Sequence, residues 1–235
     1  MFVERRGALF LVSQYRKTAM GERVMRTVEI NLYQFDELGD KAKEKARDWY
    51  REGANESPLN ACSDDFETVC AILGIKLKTF AVKLMSGNTR QDSCIFFSGF
   101  YSQGDGACFE ATYTFAAHAQ KLIRQHAPGD SELARIADVL ADEQARNGNV
   151  LSAVIAKSSY FYSHEYTVSV VVELPDDTGA ADVVDSEVLP EAFRDLMRWM
   201  YRQLKAGYED SQSDEIVDDN IRMNEYEYDV LGNRA

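Results

Sequence analysis

Residues 94–110, Cys94-Ile95-Phe96-Phe97-Ser98-Gly99-Phe100-Tyr101-Ser102-Gln103-Gly104-Asp105-Gly106-Ala107-Cys108-Phe109-Glu110, set hydroxyl, amide and carboxylate groups among closely spaced glycines. The pattern is that of two apolar strands joined by a polar turn, with Ser102, Gln103 and Asp105 on one rim. Glycine at 104 and 106 permits positive φ and lets a ligand backbone or phosphate come close. Asp105 and Glu110 have the chemistry to hold a divalent cation, and Ser98 and Ser102 can donate hydrogen bonds. His164, expected at the start of a later strand, could act as a general base beside Asp105 or Glu110. The candidate ligand- or partner-binding residues are therefore Ser98, Tyr101, Ser102, Gln103, Gly104, Asp105, Gly106, Glu110 and His164.

The same run lacks the Lys-Ser/Thr ending of a phosphate-binding loop and the ligand spacing of a calcium loop. Gly-Asp-Gly is also ordinary hairpin chemistry, so a structural turn, a recognition loop and an active site all remain open readings. No residue is assigned as catalytic or as a metal ligand, and no cofactor is implied. His118 and His126, eight positions apart, fit no metal triad. Cys62, Cys70, Cys94 and Cys108 form no CxxC pair and sit in apolar patterns, which reads as buried free thiols. Phe96, Phe97, Phe100, Tyr101, Phe109, Tyr113 and Phe115 are aromatic enough for a base-stacking sheet, but few basic residues accompany them and core packing is the better reading.

The formal net charge is −13 over 235 residues, and from Met25 onward the balance is −16. Such a chain repels nucleic acid rather than wrapping it. Its acidity serves solubility or presents an acidic face to a basic partner, for example a nucleic-acid-binding protein. No apolar run reaches the ~20 residues needed to cross a bilayer, and no cleavage pattern follows the start, so the expectation is a cytoplasmic protein without direct membrane or nucleic-acid contact.

The elements that would position these groups read as α+β, a mostly antiparallel sheet covered by several helices. Val28, Ile30 and Leu32 alternate as a half-buried strand. Residues 1–24 show no period and read as a flexible arm or an extension from an upstream start. Residues 25–235 read as one domain with an acidic C-terminal region.

Ala42, Ala46, Trp49 and Tyr50 mark a first helix ending near Gly53, and Ser63 caps a second through Leu73. Strands are expected at 75–84, 94–101 and 107–115, then helices at about 116–126 and 131–146. A hairpin of 151–156 and 162–174 follows, with an acidic loop at 175–187 and a helix from Pro190 to Ala206. Ser213 then starts a short helix, and Tyr226 and Tyr228 alternate in a last short strand.

Asn31-Leu32-Tyr33-Gln34-Phe35-Asp36-Glu37-Leu38, Ala42-Lys43-Glu44-Lys45-Ala46 and Phe97-Ser98-Gly99-Phe100-Tyr101-Ser102-Gln103-Gly104-Asp105-Gly106-Ala107 together resemble a family of small proteins of tailed bacteriophages and prophages. Its members are labelled hypothetical, or antitoxin of a toxin–antitoxin stability system. The resemblance runs from Met25 to the end and supplies no catalytic residues. It implies a phage accessory protein in the cytoplasm of a bacterial host that binds and neutralises a protein partner, antitoxin-like or as a counter-defence inhibitor with an acidic surface. The alternative is a small metal-dependent or ligand-binding hydrolase using the 98–110 hairpin. A non-enzymatic role is the leading reading, and oligomeric state is open.

Overall fold

A computed structural model describes residues 10–17, 23–53, 57–158, 161–175, 181–183 and 186–235. The fold is α+β with antiparallel sheets, as its patterns require. Where one domain was expected from residue 25, the chain forms two compact units, residues 1–56 with 208–235 and residues 57–207.

The larger unit contains a five-stranded antiparallel sheet ordered β12-β11-β10-β9-β4. Its strands are β4 (Ile75–Leu77), β9 (Ala111–Thr114), β10 (Ser152–Lys157), β11 (Val168–Pro175) and β12 (Ala181–Val183). Four helices belong to it: α2 (Leu59–Ile72), α3 (Ala119–His126), α4 (Ser131–Arg146) and α5 (Val188–Ser211), the last crossing the unit boundary. α4 begins where its cap requires, with the Asp130 carboxylate accepting from Leu133 N–H at 2.8 Å. Leu133, Ile136, Ala137 and Leu140 are buried together with Phe193, Leu196, Met197 and Met200 of α5. α2 starts earlier than the sequence suggested. Pro58 occupies its N-cap position and Ser63 lies inside the helix, because proline supplies a helical φ without a needed N–H.

Two hairpins complete the unit, β5 (Thr79–Lys83) with β6 (Thr89–Ser93) and β7 (Ile95–Ser98) with β8 (Gly106–Phe109). The continuous strands expected at 75–84 and 107–115 are broken at Lys78 and Glu110, and Cys94 separates β6 from β7. Lys78 N–H donates to Glu110 O at 2.9 Å, Glu110 N–H to Cys94 O at 3.0 Å and Cys94 N–H to Lys78 O at 2.7 Å. This closed ring of backbone bonds lets three strands change partners without stranding a polar group.

The smaller unit is built from both ends of the chain. β1 (Phe10–Lys17) and β2 (Arg23–Ile30) form an antiparallel hairpin where an arm was expected; residues 1–9 and 18–22 of that expectation lie outside the described residues. β3 (Tyr33–Gln34) pairs with β13 (Glu227–Tyr228), and a 3-10 turn (Phe35–Glu37) leads to α1 (Asp40–Gly53). α6 (Asp214–Met223) begins at Ser213, whose hydroxyl accepts from Ile216 N–H. Phe35, Leu38, Ala42, Ala46, Val217, Ile221 and Tyr228 form the core of this unit. Within the acidic loop expected at 175–187, Ala181–Val183 is a strand on β11; residues 176–180 and 184–185 lie outside the described residues. Among the described residues no helix is long and apolar enough to cross a membrane.

Candidate functional site

The β7–β8 connection is a corner held by its own carboxylate. Asp105 Oδ2 accepts from Tyr101 N–H at 2.8 Å and Ser102 N–H at 2.6 Å, two charge-assisted bonds that fix the loop tip. Gly99 allows this closure. Its φ is +44°, and a Cβ there would lie 2.7 Å from Asp105 Oδ2. Gly106 is needed for packing: a Cβ would stand 2.4 Å from the His164 Cβ. The corner therefore rests directly on the segment preceding β11. Ser98 adds to this contact, with its hydroxyl 3.3 Å from Ser163 O, and Gly104 lies against the ring of Tyr162.

The 163–167 segment is itself closed. Thr167 N–H donates to His164 O at 2.8 Å, and Thr167 Oγ1 accepts from His164 N–H at 3.1 Å. His164 is half-buried, and its Nδ1 accepts from Tyr166 N–H at 3.2 Å, which leaves the neutral ring's proton on Nε2. It stands in a turn, not at a strand start, because these local bonds delay β11 until Val168.

Ser98, Gly104, Asp105, Gly106 and His164 are thus gathered at one place, with Tyr101, Ser102 and Gln103 exposed at the tip. Glu110 is not part of the cluster. It sits beyond the far end of β8, about 13 Å from Gly106 along an extended strand. There its carboxylate accepts from Lys157 N–H at 3.0 Å and lies 3.9 Å from Lys78 Nζ. Asp105 and Glu110 are each committed to holding backbone in place. Among the described residues no group of three or more His, Cys, Asp or Glu side chains could hold a metal ion. Burial pushes the thiols of Cys62, Cys70, Cys94 and Cys108 up from their ordinary range, and all four are free.

Beside the candidate Tyr101, the corner carries Phe161, Tyr162 and Tyr166, which the sequence reading passed over. Tyr101 is 75% exposed, Phe161 91%, Tyr162 56% and Tyr166 64%. Phe100 stacks between Phe97 and Tyr201, with ring centres 5.6 and 5.8 Å away. Burial, then the charge of Asp105, pushes the Tyr201 phenol up. Lys205 Nζ lies 5.8 Å from the Tyr101 ring centre, and the Arg194 guanidinium 5.5 Å from that of Tyr166. A signal was present for Phe161, which lies in the serine-rich gap between the strands expected at 151–156 and 162–174.

Such a surface combines large rigid side chains with a preorganised backbone, which suits recognition by contact. The family model described as Domain of unknown function (DUF8835) matches residues 59–214. The chain belongs to this family. The match takes in the corner, the five-stranded sheet and most of the larger unit. No curated protein and no solved structure matches the chain.

Proposed function

We propose that this is a phage or prophage accessory protein that binds and neutralises a protein partner of the host or the phage, in the manner of an antitoxin, through the corner formed by residues 98–106 and 161–166. The observation that carries this reading is the set of exposed aromatics, Tyr101, Phe161, Tyr162 and Tyr166, around a loop already fixed by Asp105 and two glycines. A surface ordered before binding loses little conformational freedom on binding, and aromatic anchors dominate contact energy. The net charge of −13 adds long-range attraction for a basic partner and favours encounter. The likeness to phage proteins in the 97–107 motif supports the same reading.

The test begins with affinity purification from a bacterial host, using the full chain and a Tyr101→Ala/Phe161→Ser variant side by side. A partner retained by the first and lost by the second is then purified and titrated. The variant is expected to bind at least tenfold more weakly with an unchanged melting temperature, since both side chains are exposed. Asp105→Asn should weaken binding less, by loosening the tip. Raising salt from roughly 50 to 500 mM should slow association, because screening becomes strong over that range. Equal affinity of the double variant and the parent would remove the corner from the interface.

A further inference from the structure

The smaller unit contains four arginines whose side chains the structure describes, and three of them face carboxylates. Arg47 meets Asp218, Arg51 meets Asp214 and Arg222 meets Asp36. Arg234 differs. Its guanidinium carbon lies 4.8 Å from the Trp49 ring centre and 4.6 Å from that of Tyr226, and among the described residues it makes no ion pair. Trp49 and Tyr226 stand edge to face at 5.3 Å and 90°, which forms a two-walled notch against which the cation sits.

Two cavities share Asn233 and Arg234 as lining residues. One, of about 570 Å³, runs past Glu225, Tyr226 and Glu227; the other, of about 430 Å³, is bordered by Asp48, Trp49 and Glu52. Glu52 and Glu227 carry no ion pair among the described residues. An aromatic notch flanked on both sides by carboxylates is chemically matched to guanidinium groups in series, and the chain's own Arg234 shows that one guanidinium fits.

We infer that the Trp49–Tyr226 notch is a binding site for an arginine-bearing segment of a basic protein, and that Arg234 is an internal stand-in which such a segment displaces. Displacement moves only the Arg234 side chain, because the backbone there stays bridged to Tyr228 and Ala235 N–H donates to Glu227 O at 3.0 Å. The turn before Arg234 is tied as well, with Asp229 accepting from Leu231 N–H and Asn233 N–H at 2.9 Å each. This site lies in the smaller unit and is independent of the corner in the larger one, so either can fail alone.

The test uses the full-length protein and a fluorescein-labelled octapeptide of alternating arginine and glycine, followed by fluorescence anisotropy. Arg234→Gln is expected to bind the peptide at least fivefold more tightly than the parent. Arg146→Gln, the same charge change in the larger unit, should leave the affinity unchanged, which separates vacating the notch from net charge. Trp49→Leu in the Arg234→Gln background should lose the gain. Glu52→Lys in the unaltered parent should weaken binding more than the charge-matched Asp142→Lys; both replaced residues are exposed, so folding is not at stake. Equal effects of Arg234→Gln and Arg146→Gln, or of Glu52→Lys and Asp142→Lys, would overturn the inference and leave Arg234 as a clasp for the tail only.

Discussion

The two units solve the same problem with different materials. Among the described residues, the larger one buries a continuous cluster of thirty hydrophobic side chains, with Phe66, Phe109, Phe193 and Trp199 among them. Among the described side chains, the smaller one buries seven. Around the seven, cations stand at the edge of the packed side chains and join the elements that carry them. Lys43 Nζ and the guanidinium carbons of Arg47 and Arg222 lie 5.6, 5.8 and 5.6 Å from the centre of the buried Phe35 ring. Arg47 meanwhile grips Asp218 through two bonds, Nε to Oδ1 at 2.6 Å and Nη2 to Oδ2 at 2.8 Å, and so joins α1 to α6. The larger unit also has arginine pairs, such as Arg198 with Glu191 and Asp195, but they lie along the outside of a core that packing already defines.

The contrast breaks most visibly by removing an aromatic from the larger core. Phe193 is fully buried and meets Tyr113 edge to face at 5.1 Å. Phe193→Ala should cost about 3–5 kcal/mol, measured by urea unfolding, through lost transfer energy and the cavity left behind. A loss under about 1 kcal/mol would mean that the neighbouring side chains collapse into the space and that packing there is not specific. The next effect belongs to the smaller unit. Arg47→Met keeps an apolar stem over Phe35 but leaves Asp218, 14% exposed, without its partner. The expected cost is about 2–3 kcal/mol, less than for a fully buried pair. Hydrogen exchange should show it as faster opening of 214–223, with the amides of 131–146 unchanged. Restoration of slow exchange by Arg47→Met/Asp218→Leu would sharpen the point, since it would show the ion pair specifying an arrangement that apolar contact can also hold.

The same contrast governs how much could be read from the sequence. α4 and the start of α6 were legible to within a residue because their caps, Asp130 and Ser213, act on N–H groups three positions away. The glycine corner was legible as a turn for the same local reason. The breaks at Lys78, Cys94 and Glu110 were not, because each exists only through bonds to the other two segments. Tyr162 to Thr167 alternates like a strand, but Thr167 turns the chain back on His164 and the strand begins later. The helix start at Ser63 was misplaced because a good capping residue lay inside a helix that proline had already opened. Separation into two units was hidden for a further reason. The smaller core joins residues from both ends of the chain, so no local change of composition marks its boundary.

The smallest expected effect concerns the arginine pairs of the larger unit. Burial tends to raise the Asp195 carboxyl, but hydrogen bonds from Arg135 and Arg198 outweigh it and hold the group below the usual carboxylate range. A carboxyl held lower in the folded chain than in the unfolded one adds stability above the unfolded value, about 3.9, and loses it as pH falls through the folded value. Asp195→Asn should therefore lower the melting temperature slightly at pH 7, and the gap to the parent should narrow as pH falls below about 4. Both curves are measured by circular dichroism, so the general acid sensitivity of a carboxylate-rich chain cancels in their difference. A gap of constant size across that window would mean that Asp195 contributes through shape and neutral hydrogen bonding alone. The outer arginines would then be as passive in the larger unit as its extensive core allows.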